Sequence, residues 1–375
     1  IDLYEDDYVT RKTGKTKQAA YLCCYTPLEI LGASNVAYRR LMHAGTPAET
    51  ALGENYTQSV FCDMAKSIIG GFAGENPLFK AVDKLYLFYT CDCMHKSAEA
   101  INENFVPTVS YNMPRKKDDE EAIAYFITEL KAFRDELERL GGQEIRDEDI
   151  VKKIAEYNTV RKYLREISAY RKKELSPITG TQFRRLVSAY YELPPEKLIP
   201  ELQAVLKRLE NVPQGKGKKV RLMISGGALA EGDDKITDIV ENELGACIVA
   251  EDNCTGLKPL YNQIGEDGDV FENIARGYLG QAPCARMKPI EEAISFSVDL
   301  AKEYNADGVI FYYLKFCPCY SITISKYLEA FQKAGIPAIV LGGDYSGGDV
   351  GQIRTRLEAF VEMIGKNDRF TEKEI

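Results

Sequence analysis

The sequence predicts an α/β protein in which two parallel-sheet domains flank a helical insert. Short apolar runs typical of buried strands alternate with helical segments in residues 1–115 and 218–375, as in parallel βαβ units. Residues 116–217 show helical periodicity alone. At 375 residues the chain also exceeds what one hydrophobic core normally serves, so we expect more than one domain.

The N-terminal α/β domain, residues 1–115, begins with a polar arm over residues 1–18. Thr26-Pro27 predicts a helix start, because proline is favoured in the first helical turn. Gly70-Gly71 predicts a loop or a helix end. Apolar and aromatic runs predict strands at Ala19–Leu22, Lys84–Thr90 and Val106–Tyr111.

The insert, residues 116–217, predicts four helices from apolar residues at helical spacing. The first contains Ile123 and ends at Gly141-Gly142, and the second begins near Asp147. The other two cover Phe183–Tyr191 and Leu198–Leu209. The charged residues between the apolar positions are typical of solvated helix faces.

The C-terminal α/β domain, residues 218–375, follows a linker rich in Gly and Lys at Gln214–Lys219. Its predicted strands are Val220–Ser225, Cys247–Ala250, Val309–Phe316 and Ile336–Leu341. Its predicted helices are Lys235–Leu244, Ile290–Tyr304, Ile322–Ala334 and Val350–Ile364. Both α/β domains are predicted to be Rossmann-like, with a flavodoxin-like parallel sheet.

Cysteines follow four of the predicted strands. The strand-like runs lead into Cys23-Cys24, Cys91-Asp92-Cys93, Cys254 and Cys317-Pro318-Cys319. Ligands of open α/β sheets bind outside the carboxyl ends of the strands, so these thiols are placed where chemistry is expected. Cys62 and Cys284 are further candidates outside strands, whereas Cys247 lies inside a strand and is interpreted as core packing.

Composition limits the kind of site. Ten cysteines spread over about 300 residues are too sparse for a secreted disulfide scaffold, and no export signal is visible, so we expect a reducing, cytoplasmic compartment. Only two histidines, His43 and His95, are available, which leaves thiolates as the main metal ligands and favours iron–sulfur or zinc. A zinc module is disfavoured because the Cys-x-Cys pairs are far apart in the sequence.

Charge and hydropathy exclude other classes. A net charge of −9 argues against a nucleic-acid partner, and no apolar run is long enough to predict a membrane span. Gly14-Lys15-Thr16 lacks the rest of a P-loop, so we do not expect the chain to hydrolyse ATP. His95, two residues after Cys93, is a candidate proton donor, or alternatively an exposed histidine at a helix start.

A set of motifs resembles the 2-hydroxyacyl-CoA dehydratase and benzoyl-CoA reductase superfamily over nearly the whole chain. These motifs are Pro27-Leu28-Glu29-Ile30, Phe61-Cys62, Thr90-Cys91-Asp92, Asn253-Cys254-Thr255-Gly256, Cys317, Asp344–Gln352, Thr355-Arg356 and Ala359–Glu362. In the dehydratase branch, the resemblance implies three cysteines for one [4Fe–4S] cluster. They correspond here to Cys62, Cys91 and Cys317.

Three further cysteines at motif positions, Cys23, Cys254 and Cys284, depart from the dehydratase pattern. The set of six looks like the double-cubane cluster proteins of the same superfamily. That resemblance implies an [8Fe–9S] cluster, two [4Fe–4S] units joined by a bridging sulfide, in the cleft between the domains. The second unit is expected on Cys23, Cys254 and Cys284, with Cys24 left as an alternative to Cys23 and no role assigned to Cys93 and Cys319.

The resemblance also implies a function. We expect low-potential reduction of small unsaturated or nitrogen-containing molecules, driven by a separate ATP-dependent iron–sulfur reductase, in a homodimer. The alternatives are a 2-hydroxyacyl-CoA dehydratase subunit with one cubane, and a non-catalytic electron-storage protein. The sequence does not identify the physiological substrate.

Overall fold

The computed structural model describes residues 16–212 and 218–371. It contains two four-stranded parallel sheets, and both sheets have the order second, first, third, fourth strand. This is the flavodoxin-like order, and it confirms the predicted α/β class with two Rossmann-like domains. Most of the predicted N-terminal arm and the centre of the predicted linker lie outside the described residues.

The N-terminal sheet has the order β2-β1-β3-β4. Its strands are β1 Lys17–Tyr21, β2 Val36–Arg40, β3 Lys84–Tyr89 and β4 Thr108–Asn112. The helices of this region are α1 Leu28–Ala33, α2 Pro47–Gly53, α3 Asp63–Ala73, α4 Pro77–Lys80 and α5 Asp92–Asn104. The sequence prediction missed β2, whose five residues are all buried although two are arginines.

Gly70-Gly71 lies inside α3, so the prediction of a loop or a helix end there was wrong. A Cβ atom on Gly70 would lie 1.7 Å from the carbonyl oxygen of Glu49 in α2. The glycine therefore lets the two helix backbones approach each other closely. Propensity arguments miss this use of glycine, because it depends on a neighbour that is distant in the sequence.

The insert forms the four helices that the periodicity predicts. They are α6 Glu120–Gly141, α7 Asp147–Ala169, α8 Gly180–Glu192 and α9 Pro195–Glu210. Asp119 caps α6 with its carboxylate, and Gly142 ends the helix at φ 66°. Apolar residues of the insert share one hydrophobic core with both sheets, from Tyr21 in β1 to Val309 in the C-terminal domain.

The C-terminal sheet has the order β6-β5-β7-β8. Its strands are β5 Arg221–Gly226, β6 Cys247–Glu251, β7 Gly308–Leu314 and β8 Ala338–Gly343. Its α-helices are α10 Lys235–Asp238, which continues as a π-helix over Ile239–Glu243, α11 Val270–Gly280, α12 Ile290–Glu303, α13 Pro318–Lys333 and α14 Val350–Thr371. No helix in the described parts of the chain is long and apolar enough to cross a membrane.

Two buried ion pairs join the insert to the two α/β domains. Arg161 of α7 donates to Glu29 of α1 at 2.8 Å, and neither side chain is more than 1% exposed. Arg171, just after α7, donates to Glu251 at the end of β6 at 2.7 Å, again with both partners buried. Because a buried charge requires a partner, each pair fixes the insert against one sheet.

Candidate metal centre

The carboxyl ends of both sheets border a shared cavity of about 110 Å³. All six predicted ligands line it, together with one further cysteine; these residues are Cys23, Cys24, Cys62, Cys91, Cys254, Cys284 and Cys317. The thiols come from segments up to 294 positions apart in the sequence, from Cys23 to Cys317. The fold thus gathers the predicted site residues at one place between the domains.

Three of these cysteines begin helices. Cys62, Cys91 and Cys317 are the N-cap residues of α3, α5 and α13, and none of their side chains makes a capping hydrogen bond. The sulfur atoms therefore remain available for other partners. A helix N-terminus carries partial positive charge, which favours the thiolate form required of a metal ligand.

The other predicted ligands lie in connecting segments. Cys23 follows β1, Cys254 lies in the turn after β6, and Cys284 lies in the loop between α11 and α12. The backbone N–H of Cys284 donates to the hydroxyl of the buried Tyr25 at 3.4 Å, which ties this loop to the N-terminal domain.

Arg40, the last residue of β2, holds the Cys254 turn in place. Its Nη2 donates to Cys254 Sγ at 3.2 Å and its Nη1 to the Cys254 carbonyl oxygen at 2.9 Å. Its Nε donates to the Leu22 carbonyl oxygen at 3.1 Å, and the guanidinium stacks 4.3 Å above the Tyr191 ring. One arginine thus connects the end of β1, the insert and a C-terminal thiol.

Arg286 contacts one cysteine in a loop and one cysteine at a helix N-terminus. Its Nη1 donates to Cys284 Sγ and its Nη2 to Cys317 Sγ, each at 3.5 Å. Burial alone would lower the pKa of Arg286, but the surrounding thiols, Cys284 foremost, raise it well above its ordinary value. The guanidinium therefore stays charged between a loop cysteine and a helix-capping cysteine.

The charge of the cavity is opposite to that of the chain. Three cations, Arg40, Lys258 and Arg286, line it, and no Asp or Glu of the described residues does, although the chain has a net charge of −9. Lys258 is buried and donates to the Pro283 carbonyl oxygen at 3.1 Å. Such surroundings stabilise negative charge, and a set of thiolates around a cluster would supply it.

The two neighbouring cysteines Cys23 and Cys24 differ in acidity. A hydrogen bond with Cys24 lowers the pKa of Cys23, and the same kind of contact lowers the pKa of Cys254 well below its ordinary value. The pKa of Cys24 is raised, first by its contact with Cys23. The contacts with Cys24 thus favour ionisation of Cys23 and Cys254.

In a second close pair, Cys62 and Cys93, the predicted ligand Cys62 has the higher pKa. The contact between Cys62 and Cys93 lowers the pKa of Cys93 to about 6 and raises that of Cys62 well above its ordinary value. Position favours Cys62 instead, because Cys62 lines the cavity and Cys93 is not among the lining residues. Of the two thiols, Cys62 is therefore the one placed to bind a group in the cavity.

His95 lies in the first turns of α5 and stacks on Tyr89 with a centroid distance of 4.2 Å. Tyr89 lines the cavity, whereas His95 is not among the lining residues and its Nε2 lies 3.6 Å from Glu99. The histidine is therefore one aromatic ring away from the site. Its role as a proton donor stays a prediction.

The donor set fits an iron–sulfur group. Within residues 16–212 and 218–371, no group of three His, Cys, Asp or Glu side chains is arranged so that it could hold a single metal ion. The thiolates of an iron–sulfur cluster each bind a different iron atom, so they need not converge on one point. The six thiols and the three cations of the cavity wall match such a group in chemistry.

Sequence reasoning missed the cations of the site. Arg40 ends a strand that was not predicted, and Lys258 lies in a short 3₁₀ turn at Lys258–Tyr261. Arg286 offered a signal, because it lies two residues after Cys284 in a loop that contains a predicted ligand. An arginine next to a metal-ligating cysteine balances its charge.

Comparisons with known proteins show the family of this chain. The sequence matches the family described as 2-hydroxyglutaryl-CoA dehydratase, D-component, over residues 23–364. It is 28% identical over 352 residues to YjiM of Escherichia coli (strain K12), provisionally named a dehydratase subunit, covering 91% of this chain and 90% of that protein.

Two further relatives cover almost the full chain. The (R)-phenyllactyl-CoA dehydratase beta subunit of Clostridium sporogenes is 25% identical, with 95% of each chain covered. One of the subunits of benzoyl-CoA reductase from Thauera aromatica is 23% identical, with 96% of each covered. The superfamily expected from the sequence motifs is confirmed, and the chain belongs to the 2-hydroxyglutaryl-CoA dehydratase D-component family.

Proposed function

We propose that this protein is an iron–sulfur reductase that holds an [8Fe–9S] double-cubane cluster in the cavity between its α/β domains. One observation carries the proposal: six motif cysteines from both domains line one cavity together with three cations, and the described residues add no carboxylate to its wall. A single [4Fe–4S] cluster of the dehydratase type would use three of these thiols and leave the other three without a role.

The ligands divide into two sets of three. Cys62, Cys91 and Cys317 form the helix-capping set, which would hold one cubane. Cys23, Cys254 and Cys284 form the loop set, which would hold the other. Cys23 is the proposed ligand on the motif resemblance, and Cys24, which also lines the cavity, is the alternative.

The chain's own residues suit the chemistry of such a group. When bound, it would supply electrons at low potential to a small molecule beside it. Arg40 and Arg286 donate N–H groups to cysteine sulfurs and balance their negative charge. Apolar side chains in the wall exclude water from the space; they are Leu22, Met42, Met64, Leu87, Phe88, Met94 and Leu314.

The proposed reaction also needs a proton donor and an electron donor. Reduction of a small molecule consumes protons, and His95, stacked on Tyr89 of the cavity wall, is the proposed donor. Electrons would come from a separate ATP-dependent iron–sulfur reductase. We further propose a cytoplasmic homodimer and the domain division 1–115, 116–217 and 218–375.

The names of the relatives favour a second candidate function. Several are subunits of 2-hydroxyacyl-CoA dehydratases, so a dehydratase subunit with one cubane on Cys62, Cys91 and Cys317 is the alternative. It predicts four irons per chain and acyl-CoA binding. A non-catalytic electron-storage protein would match the proposed iron content but would reduce no small molecule.

Iron and acid-labile sulfide per chain, measured on anaerobically purified protein, test the proposal. We expect about eight irons and nine sulfides, the composition of the [8Fe–9S] cluster. About four of each would overturn the double cubane and favour the dehydratase. Reduction of hydroxylamine by the full chain with an ATP-dependent reductase then separates the enzyme from a storage protein.

A further inference from the structure

The segment Gln281–Arg286, between α11 and α12, forms one wall of the cavity. Gln281, Ala282, Cys284 and Arg286 all line the cavity. Lys258 Nζ donates to the Pro283 carbonyl oxygen at 3.1 Å and the Met287 N–H to the Cys284 carbonyl oxygen at 2.9 Å. Both bonds fix the backbone of this segment, so its side chains have a defined direction.

Gln281 presents an amide without a partner to this space. The side chain is 5% exposed, and among the described residues its Nε2 has no hydrogen-bond partner. A buried N–H group without a partner is costly, and native proteins rarely keep one. The amide therefore indicates an acceptor inside the cavity.

Arg286 adds a second unpaired donor on the same wall. Its two terminal nitrogens contact Cys284 and Cys317, one cysteine from each proposed set of ligands. Its Nε is buried and has no partner within the described chain. Two such donors lie five positions apart in the sequence, in a cavity where Arg and Lys are the charged lining residues that the described chain provides.

We propose that Gln281 and Arg286 form a hydrogen-bond donor site for an electron-rich acceptor at the boundary between the two sets of cysteines. The acceptor is a sulfide of the cluster or a small anion bound beside it. The inference rests on the proposed function, because it places an iron–sulfur group in the cavity. In either case the site recognises negative charge through N–H groups.

Substituting Gln281→Met removes the donor without adding charge and keeps a side chain of similar length. The midpoint potential of the iron–sulfur protein is measured by redox titration followed by electron paramagnetic resonance. The dissociation constant for thiocyanate, used as an anion probe, is measured from changes in the same spectrum. Iron per chain is determined for every sample.

A shift of the midpoint potential to more negative values, without added anion, identifies cluster sulfide as the acceptor, since donors stabilise the more reduced form. An unchanged potential with thiocyanate bound at least about tenfold more weakly identifies a small anion. A fully loaded variant with both values equal to wild type overturns the proposal.

Further variants at Arg286 and Gln281, and a control at Tyr111, accompany this test. Arg286→Lys retains the charge but loses the Nε donor together with the Nη bonds to Cys284 and Cys317, so its midpoint potential should fall further than that of the Gln281 variant, and its weaker thiocyanate binding reports the lost anion contact. Gln281→Glu removes the same donor as Gln281→Met and adds a negative charge, so it should change the same quantity further in the same direction. Tyr111→Phe is the matched control, since that buried hydroxyl also lacks a partner among the described residues but does not line the cavity.

An iron count near four in the wild-type protein would refute the double cubane, whereas the response of Gln281 would still be measurable. Failure of the proposed function and failure of this inference are therefore distinguishable.

Discussion

The two α/β domains have the same strand order but deliver their cysteines differently. After the third strand the two domains agree: Cys91 follows β3 and Cys317 follows β7, and each is the N-cap of the next helix. After the first strand they differ. Cys23 follows β1, whereas Gly226-Gly227 ends β5, with Gly226 at φ 104°.

This difference shows which part of the site the fold itself supplies. The shared strand order brings equivalent carboxyl ends to one cavity, and that places Cys91 and Cys317, two of the proposed ligands, at related positions. The loop set has no such relation, since Cys254 and Cys284 lie on connections of the C-terminal domain alone. Arg40 and Arg286 hold these two connections through side-chain bonds instead.

The largest expected effect comes from removing Cys91 or Cys317, the cysteine that follows the third strand of each domain. Cys91→Ala and Cys317→Ala should each remove at least half of the bound iron, because each deletes a proposed thiolate ligand of the helix-capping set. Iron and sulfide per chain measure this. Cys247→Ala is the control, since Cys247 begins β6 and does not line the cavity, and should keep its iron. Full iron in both cavity variants would contradict the assignment.

The two buried ion pairs give the next effect. Arg161→Met and Arg171→Met should each lower the free energy of unfolding by about 3–5 kcal/mol, because each leaves a buried glutamate without its partner. Urea denaturation measures this. Adding Glu29→Gln to Arg161→Met, or Glu251→Gln to Arg171→Met, should recover much of the loss. A loss below about 1 kcal/mol would show that the insert is not fixed by these pairs.

Glycine substitutions compare backbone packing in the two domains. Gly70→Ala and Gly226→Ala should each cost about 1–3 kcal/mol or more, since the new Cβ would lie 1.7 Å from the Glu49 carbonyl oxygen and 2.4 Å from that of Tyr312. Thermal unfolding measures both. Gly351→Ala is the control: among the described residues, no atom outside its chain neighbours and its own helix backbone lies within 4 Å of the new Cβ, and alanine in helix α14 should stabilise slightly.

The smallest effect concerns pH, and its sign differs between the C-terminal domain and the insert. Burial raises the pKa of Asp233, in the C-terminal domain, above its ordinary value of 3.8. Burial opposes ionisation of Glu136 as well, but hydrogen bonds from Lys84 and Arg139 outweigh it and lower its pKa below 4.5. The native state therefore binds the Asp233 proton more tightly than the unfolded state does, and the Glu136 proton less tightly.

The stability that Asp233 contributes is present below pH 3.8 and is lost as pH rises through its raised pKa. Glu136 contributes above pH 4.5 and loses this as pH falls through its lowered pKa. In urea denaturation from about pH 3 to 7, the cost of Asp233→Asn should shrink as pH rises, while that of Glu136→Gln should shrink as pH falls. Parallel curves for both variants would contradict these directions.

Most of the fold was predictable from local patterns. The helices of the insert follow from apolar spacing and from Gly142, and the strands after the linker follow from buried runs ending at turns. Strand β2 was missed because its arginines are buried by partners from elsewhere: Arg40 is satisfied by Leu22 and Cys254. Such tertiary compensation leaves no local signal in the sequence.

The cysteines of the site were predictable from the sequence, whereas its cations were not. Cysteines after strands indicated that Cys23, Cys91, Cys254 and Cys317 meet, because the carboxyl ends of parallel strands share an edge, whereas Cys62 and Cys284 were indicated by the motifs. The cations that accompany them were not predicted, since a side chain such as Lys258 becomes part of the site only through the packing of its 3₁₀ turn. The unpaired amide of Gln281, which has no partner in the described chain, likewise depends on burial, which its surrounding sequence does not reveal.

Anomalous diffraction at the iron absorption edge, from crystals grown anaerobically, tests the central claim most directly. We expect eight iron positions in the cavity, divided into two groups of four. Cys62, Cys91 and Cys317 should bind one group, and Cys23, Cys254 and Cys284 the other. Four iron positions, with the loop set unbound, would contradict the account and assign the chain a single cluster.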